Sequence, residues 1–313
     1  MSLRTTPETR FNNFNVYTTS YKKIKDHEIE VNVLVPKDIT PGKHPVVVRW
    51  HGGGLATGTA MYPEWFSAYL VPFFIRNNAI AVVPNYRLTP EHTGDDILDD
   101  IASFGSWLTT SLSTYLKSKD PSIEPDLSRV LVAGDSAGGW MSLQSVLSLP
   151  EKTFRACFIQ YPVVLNSPHS PDDITMGQRI PPREELDKFL ASIQPGTVIS
   201  AATPPARLAV MSMLQAHGRW DEFFGTGPHL MPYTRIESAK SFVPTYILHG
   251  KDDTLVPVKG TEKFVDRARE LFPETKFKLV TPPGEHGFDD SIYEEDEPWL
   301  AEMVKEVETD WLK

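Results

Sequence analysis

The hexapeptide at residues 134–139, which reads GDSAGG, constrains the fold more than any other part of the sequence. It directly follows an apolar run at residues 130–133 and precedes a helical pattern that begins at Ala137. Glycines two residues before and two residues after Ser136 are typical of a sharp turn from a buried strand into a helix, where side chains would clash. The segment therefore predicts an α/β sheet that carries a serine hydroxyl at the end of a strand.

Short apolar runs alternate with helical patterns through most of the chain, as expected for parallel strands that are buried on both faces. Strands are predicted at residues 46–48, 79–83, 130–133, 246–248 and 277–280, and helices at residues 95–116, 137–149, 260–271 and 298–311. Two earlier segments, residues 14–21 and 28–35, alternate apolar and polar positions and predict an antiparallel pair. This order predicts a mostly parallel central sheet flanked by helices.

Residues 166–241, which we call the insertion, interrupt that alternation. The insertion is rich in Pro, Met and aromatic residues, contains no clear strand, and has a helical pattern around residues 207–220. It is too long for an ordinary loop. We therefore predict a main domain formed by residues 1–165 and 242–313, and a helical cap at residues 166–241 that covers a site. A purely structural excursion is the alternative.

A serine hydroxyl becomes a good nucleophile only when a base removes its proton, and the base needs a carboxylate to orient it. Asp253 follows the strand at residues 246–248 and is preferred over the neighbouring Asp252 as the carboxylate. His286 lies between glycines after the last strand and is the predicted base. The chain order Ser, Asp, His at the ends of strands predicts a catalytic triad of Ser136, Asp253 and His286.

A second glycine-rich turn, HGGG at residues 51–54, follows the strand that ends at Trp50. Backbone amides from such a turn bind the oxyanion that forms when an ester carbonyl is attacked. We predict that the amides of Gly53, Gly54 and Ala137 form this oxyanion hole, and that His51 braces the loop. The alternative for the serine turn alone is a helix start that binds an anion without catalysis.

Taken together, four motifs resemble the hormone-sensitive-lipase family of α/β-hydrolases from about Pro45 to the C-terminus. They are HGGG at 51–54, NYRLTPE at 85–91, GDSAGG at 134–139, and the late Asp and His loops. The resemblance implies an α/β-hydrolase fold, carboxylesterase or lipase activity, no cofactor, and a cap above the serine.

The sequence departs from the family pattern at three points. Asn85 and Thr89 stand where the family usually has Asp and Ala, and the N-terminal segment is short, so residues 166–241 must form most of the cap. We expect hydrolysis of a short- to medium-chain ester or a small natural-product ester through an acyl-enzyme. The alternatives are a small-molecule receptor and a lyase or cyclase on the same fold.

The remaining features limit the partners and the location. A net charge of −10 disfavours nucleic acid, because phosphate binding needs clustered Lys and Arg. The single cysteine, Cys157, allows no internal disulfide and lies in an apolar run, where we expect a buried small side chain. The histidines show no metal-binding spacing. A small-molecule ester is thus the expected ligand.

Neither the N-terminus nor the most apolar stretch predicts a membrane protein. Residues 1–10 are too polar for a signal peptide, and residues 66–83 contain a proline, an arginine and two asparagines. We read that stretch as a buried helix followed by a strand, and we expect a cytoplasmic protein. The oligomeric state stays open, with a homodimer as one alternative.

Overall fold

The centre of the molecule is a twisted sheet of eight strands that carries helices on both faces. The computed structural model describes residues 3–166 and 168–313. Its strands are β1 (Phe14–Ile24), β2 (His27–Pro36), β3 (Gly42–Trp50), β4 (Ile80–Pro84), β5 (Ile123–Asp135), β6 (Ala156–Gln160), β7 (Ile174–Thr175), β8 (Gln178–Arg179), β9 (Thr245–Leu248) and β10 (Phe277–Val280).

The large sheet has the order β1-β2-β4-β3-β5-β6-β9-β10. The pairs β1–β2 and β2–β4 are antiparallel, and every later pair is parallel. The predicted N-terminal antiparallel pair and the five predicted strands of the parallel region are therefore confirmed. Because β3, β5, β9 and β10 run in the same direction, the loops after them meet at one edge of the sheet.

Helices cover the two faces of the sheet because alternate strand side chains point to opposite sides. Val46 and Val48 belong to one buried cluster and Val47 to the other. The helices are α1 (Leu70–Arg76), α2 (Gly94–Thr110), α3 (Leu112–Lys119), α4 (Ala137–Ser148), α5 (Arg183–Ser192), α6 (Val210–Ala216), α7 (Trp220–Phe224), α8 (Pro232–Arg235), α9 (Val258–Leu271) and α10 (Pro298–Trp311). Helices α2, α3, α4 and α9 pack on one face, whereas α1 and α10 pack on the other.

The prediction of a single helix at residues 95–116 is wrong in one respect, because the chain forms two helices there, α2 and α3, which are separated at Ser111. The hydroxyls of Thr109 and Thr110 donate to the carbonyls of Gly105 and Ser106 just before this point. Such side-chain bonds to the backbone weaken a helix interior. A run of Thr and Ser therefore ends the first helix where apolar periodicity alone would continue it.

The insertion contains α5 to α8, as the prediction of a helical segment requires, but it also contains the hairpin β7–β8. The expectation that it has no strand is therefore wrong. The helix predicted around residues 207–220 is also shorter, because Arg207 and Gly218 have positive φ angles of 65° and 67° and lie outside it. A separate cap domain stays a prediction.

No helix in the described ranges combines the length and the apolar character that a membrane crossing requires. Residues 66–83 form α1 and most of β4, as predicted for a buried helix followed by a strand. Cys157 is fully buried in β6, and burial raises the pKa of its thiol.

Candidate active site

Ser136 lies at the tight turn between β5 and α4, in a backbone conformation that few residues adopt. Its φ is 55° and its ψ is −117°. A Cβ atom at Gly134 would lie 2.3 Å from the carbonyl oxygen of Gly138, and one at Gly138 would lie 2.1 Å from that of Trp50. Both glycines are therefore required by close backbone contacts. The turn places Ser136 in the wall of a cavity that also contains His286.

Asp253 and His286 are brought together at the carboxyl ends of β9 and β10. The Nδ1 atom of His286 lies 2.7 Å from Oδ2 of Asp253. An ionised carboxylate only accepts hydrogen bonds, so Nδ1 donates and Nε2 is left free to accept a proton. Asp252 points elsewhere and accepts a hydrogen bond from the amide of Gly284.

The carboxylate of Asp253 accepts three hydrogen bonds and has His249 as a further polar neighbour. Its Oδ1 accepts from the amides of Leu255 and Val256 at 3.0 and 2.7 Å, while Oδ2 faces His286 and, at 3.3 Å, Nε2 of His249. Burial opposes ionisation, but the bonds from His249, His286 and the backbone outweigh it and hold the pKa of Asp253 well below its usual value.

His249 lies beside the carboxylate of Asp253, and the sequence analysis missed this residue. Its ring is fully buried, its Nδ1 lies 2.9 Å from the hydroxyl of Thr261, and its Nε2 lies 2.7 Å from the carbonyl of Val256. Since that carbonyl can only accept, Nε2 carries the proton and Thr261 donates to Nδ1. The available signal was the spacing of four residues between His249 and Asp253.

The three predicted oxyanion amides have no hydrogen-bond partner in the described part of the chain. Gly53 and Gly54 have positive φ angles of 111° and 59°, and a Cβ atom at Gly53 would lie 2.2 Å from the carbonyl oxygen of Thr57. Ala137 opens α4, where the first amides have no partner within the helix. All three amides are therefore unpaired in the described residues, and their role as an oxyanion hole stays a prediction.

His51 is buried beside this loop and stacks on Tyr86 with a ring distance of 4.3 Å. Its Nδ1 contacts the carbonyl of Gly52 at 2.7 Å. Burial lowers the pKa of His51 to about 3, so the ring is neutral at physiological pH. This geometry agrees with a bracing role.

The surroundings of the predicted triad also contain buried carboxyl groups that the sequence analysis did not identify. Oδ1 of Asp135 lies 2.5 Å from the guanidinium of Arg49, and both side chains are buried. Burial and the neighbouring acidic charges raise the pKa of both Asp289 and Asp290. The carboxyl of Asp290 lines the same cavity as His286 and, in the described ranges, makes no side-chain hydrogen bond. Asp289 and Asp290 follow His286 closely in the chain, and the sequence pattern there does not indicate that they are buried acids.

Two cavities meet at the loop that carries Gly54, one of the predicted oxyanion residues. The larger, which we call the main cavity, has a volume of about 480 Å³ and is lined by Trp65, Ser136, Tyr161, Leu208, His286 and Asp290, among others. The smaller, which we call the side pocket, has about 30 Å³ and is lined in part by Ala137, Trp140, Val163, Gln215, Trp220 and Val256. Gly54, Met211 and Leu255 belong to both walls.

Comparison with known proteins gives a family and an activity. The family model of the α/β-hydrolase fold matches residues 47–272. A probable carboxylesterase, M8, from Phoma sp. is 32% identical over 96% of this chain and 98% of its own length. The probable carboxylesterase clz11 of Cochliobolus lunatus is 32% identical over 58% of this chain and 87% of its own length.

A solved structure supports the fold independently. Esterase 2 of Thermogutta terrifontis, phosphonylated by sarin, superposes with a TM-score of 0.60 at 18% identity and covers 94% of this chain and 93% of its own. The predicted α/β-hydrolase fold is confirmed, and the relationship to the carboxylesterases supports a carboxylic ester hydrolase. The chain belongs to the hormone-sensitive-lipase and carboxylesterase type of the α/β-hydrolase family.

Proposed function

We propose that the protein hydrolyses carboxylic esters through a covalent acyl-enzyme on Ser136, with His286 as the general base. The observation that carries the proposal is the 2.7 Å contact between His286 Nδ1 and Asp253 Oδ2, in a cavity that Ser136 and His286 both line. This contact fixes the tautomer that leaves Nε2 free to take the serine proton. Ser136 has no side-chain hydrogen bond in the described residues, as is common before substrate binds.

The first half-reaction forms the acyl-enzyme. Ser136 Oγ attacks the ester carbonyl carbon as its proton moves to His286 Nε2, and the carbonyl oxygen becomes an oxyanion bound by the amides of Gly53, Gly54 and Ala137. The bond to the alcohol oxygen then breaks, and His286 returns the proton to the departing alcohol. One ester is consumed and one alcohol is released.

The second half-reaction restores the serine. Water attacks the acyl carbon while His286 takes one of its protons, and collapse of the second oxyanion breaks the bond to Ser136 Oγ. The proton passes back to the serine as the carboxylic acid leaves. The buried carboxylate of Asp253 stabilises the positive imidazole in both halves without itself taking the proton.

The insertion acts as the cap of this site in our proposal. Leu208 and Met211 belong to the wall of the main cavity, and the segment around Ala202 pairs with Gly58, four residues after Gly54 in the chain. A cavity of this volume suits small and medium-sized ligands. We therefore propose a small ester as substrate rather than a long-chain lipid.

The test is a series of p-nitrophenyl esters from acetate to palmitate, measured with the wild type and with Ser136→Ala. We expect activity on the shorter esters, a loss of at least about a thousandfold in Ser136→Ala, and labelling of the wild type by a fluorophosphonate. Activity that persists in Ser136→Ala would refute the acyl-enzyme. Tight binding of a small acid without fluorophosphonate labelling would instead favour a receptor.

A further inference from the structure

The main cavity and the side pocket share part of their walls but differ in which of the proposed catalytic groups line them. His286 belongs to the wall of the main cavity and, among the described residues, not to that of the side pocket. Ala137, one of the oxyanion donors, belongs to the wall of the side pocket, and Gly54 belongs to both. The acyl part and the alcohol part of a bound ester would therefore contact different residues.

The reaction itself assigns the two halves, if the proposed function is correct. The tetrahedral carbon carries Ser136 Oγ, the oxyanion, the acyl chain and the alcohol oxygen. His286 must reach the alcohol oxygen to protonate it, so the alcohol part extends on the histidine side. We infer that the main cavity binds the alcohol part of the substrate and that the side pocket, beyond the amides of Gly54 and Ala137, binds the acyl chain.

The difference in volume then gives the substrate class. The side pocket has about 30 Å³, whereas the main cavity has about 480 Å³. A pocket of that smaller volume holds about two water-sized groups. The geometry thus assigns a short acyl chain, from acetyl to butyryl in size, on a much bulkier alcohol.

Trp220 belongs to the insertion and forms part of the wall of the side pocket. It is 7% exposed, and its ring stacks on that of Phe224 at a centroid distance of 4.8 Å. A smaller side chain at this position would therefore enlarge the side pocket.

Chain-length selectivity tests the assignment of the pockets. With p-nitrophenol as the constant leaving group, we expect kcat/KM of the wild type to fall at least about tenfold from butanoate to octanoate, because the longer chain exceeds the pocket. Trp220→Ala enlarges the side pocket and should raise the octanoate-to-butanoate ratio severalfold. Leu208→Ala, in the wall of the main cavity, is the matched control and should leave that ratio within about twofold while it changes selectivity among acetates of different alcohols.

The outcomes separate this inference from the proposed function. If the wild type cleaves none of these esters, the proposed function fails. If it cleaves them but Leu208→Ala rather than Trp220→Ala changes the acyl-chain ratio, the pocket assignment is wrong.

Discussion

Arg207 connects the insertion to the loops after β3 and β4 through a buried ion pair and hydrogen bonds, and its removal should destabilise the protein strongly. Its guanidinium binds both carboxylate oxygens of Glu91 and donates to the carbonyls of Ala56 and Thr89 at 2.8 and 2.6 Å. The side chains of Arg207 and Glu91 are only 12% and 8% exposed. Arg207→Met fills a similar volume but leaves the carboxylate buried without its cation.

The expected magnitude follows from that burial. Removing one partner of a buried pair costs about 3–5 kcal/mol, because the other charge is left uncompensated. In a chain of this length, each kcal/mol corresponds to roughly 2 °C. Arg207→Met should therefore lower Tm by about 6–10 °C in thermal unfolding followed by circular dichroism.

Two further variants decide whether the buried charge is the cause. Arg183→Met removes an ion pair with Asp187 in which the two side chains are 53% and 51% exposed. It should lower the free energy of unfolding by less than about 0.5 kcal/mol. The double variant with Arg207→Met and Glu91→Gln leaves no unpaired charge and should be more stable than Arg207→Met alone. A Tm for Arg207→Met within about 2 °C of that for Arg183→Met, or a double variant less stable than the single one, would refute the reasoning.

Three other predictions follow from the site. Asp253→Asn should lower kcat by about three to four orders of magnitude, because the wrong histidine tautomer forms, and a rate near that of the wild type would place the acid elsewhere. Thr261→Val should lower kcat severalfold with little change in KM, because His249 loses the hydrogen bond that orients it toward Asp253. Thr261→Ser keeps the hydroxyl and should retain the wild-type rate. Equal kcat values for the Val and Ser variants would contradict this role. The raised pKa of Asp289 means that the folded state keeps a proton that the unfolded state loses, so the unfolding free energy falls as pH rises above about 4. Asp289→Asn should therefore raise Tm more at pH 8 than at pH 5, and a larger gain at pH 5 would contradict that sign.

The positions of the three proposed triad residues in the fold could be predicted because each lies next to a buried strand. Ser136, Asp253 and His286 directly or closely follow apolar runs, and parallel strands bring their carboxyl ends to one edge. Hydrophobic runs are set by burial on both faces, which is the strongest signal that a sequence carries. The place where the three loops meet is thus decided by topology.

The partners of the triad could not be predicted in the same way. His249 reaches Asp253 because the loop between β9 and α9 folds back on itself, and that path depends on hydrogen bonds to Val256 and Thr261. Asp289 becomes a buried acid only because other elements close around it. Such roles come from contacts between loops, which no periodicity describes.

The insertion was the least predictable part for a related physical reason. Its apolar residues could cover the sheet, each other or a ligand, and composition does not distinguish these choices. Its orientation is set by a few polar contacts, among them the bonds from Arg207 to Ala56 and Thr89. These contacts join residues more than a hundred positions apart.

The contact between Met211 and Gly54 joins the insertion to the loop that carries the proposed oxyanion amides. A Cβ atom at Gly54 would lie 2.8 Å from Cβ of Met211, and both residues line the main cavity and the side pocket. Two features disfavour a side chain at Gly54. Its φ of 59° is one that residues with a Cβ atom rarely adopt, and the insertion packs directly on it. Changes at Met211 can alter the acyl and alcohol surfaces together while the strand-borne triad keeps its geometry. In the proposed mechanism, the sheet therefore fixes where the ester is attacked, and the insertion fixes which ester fits.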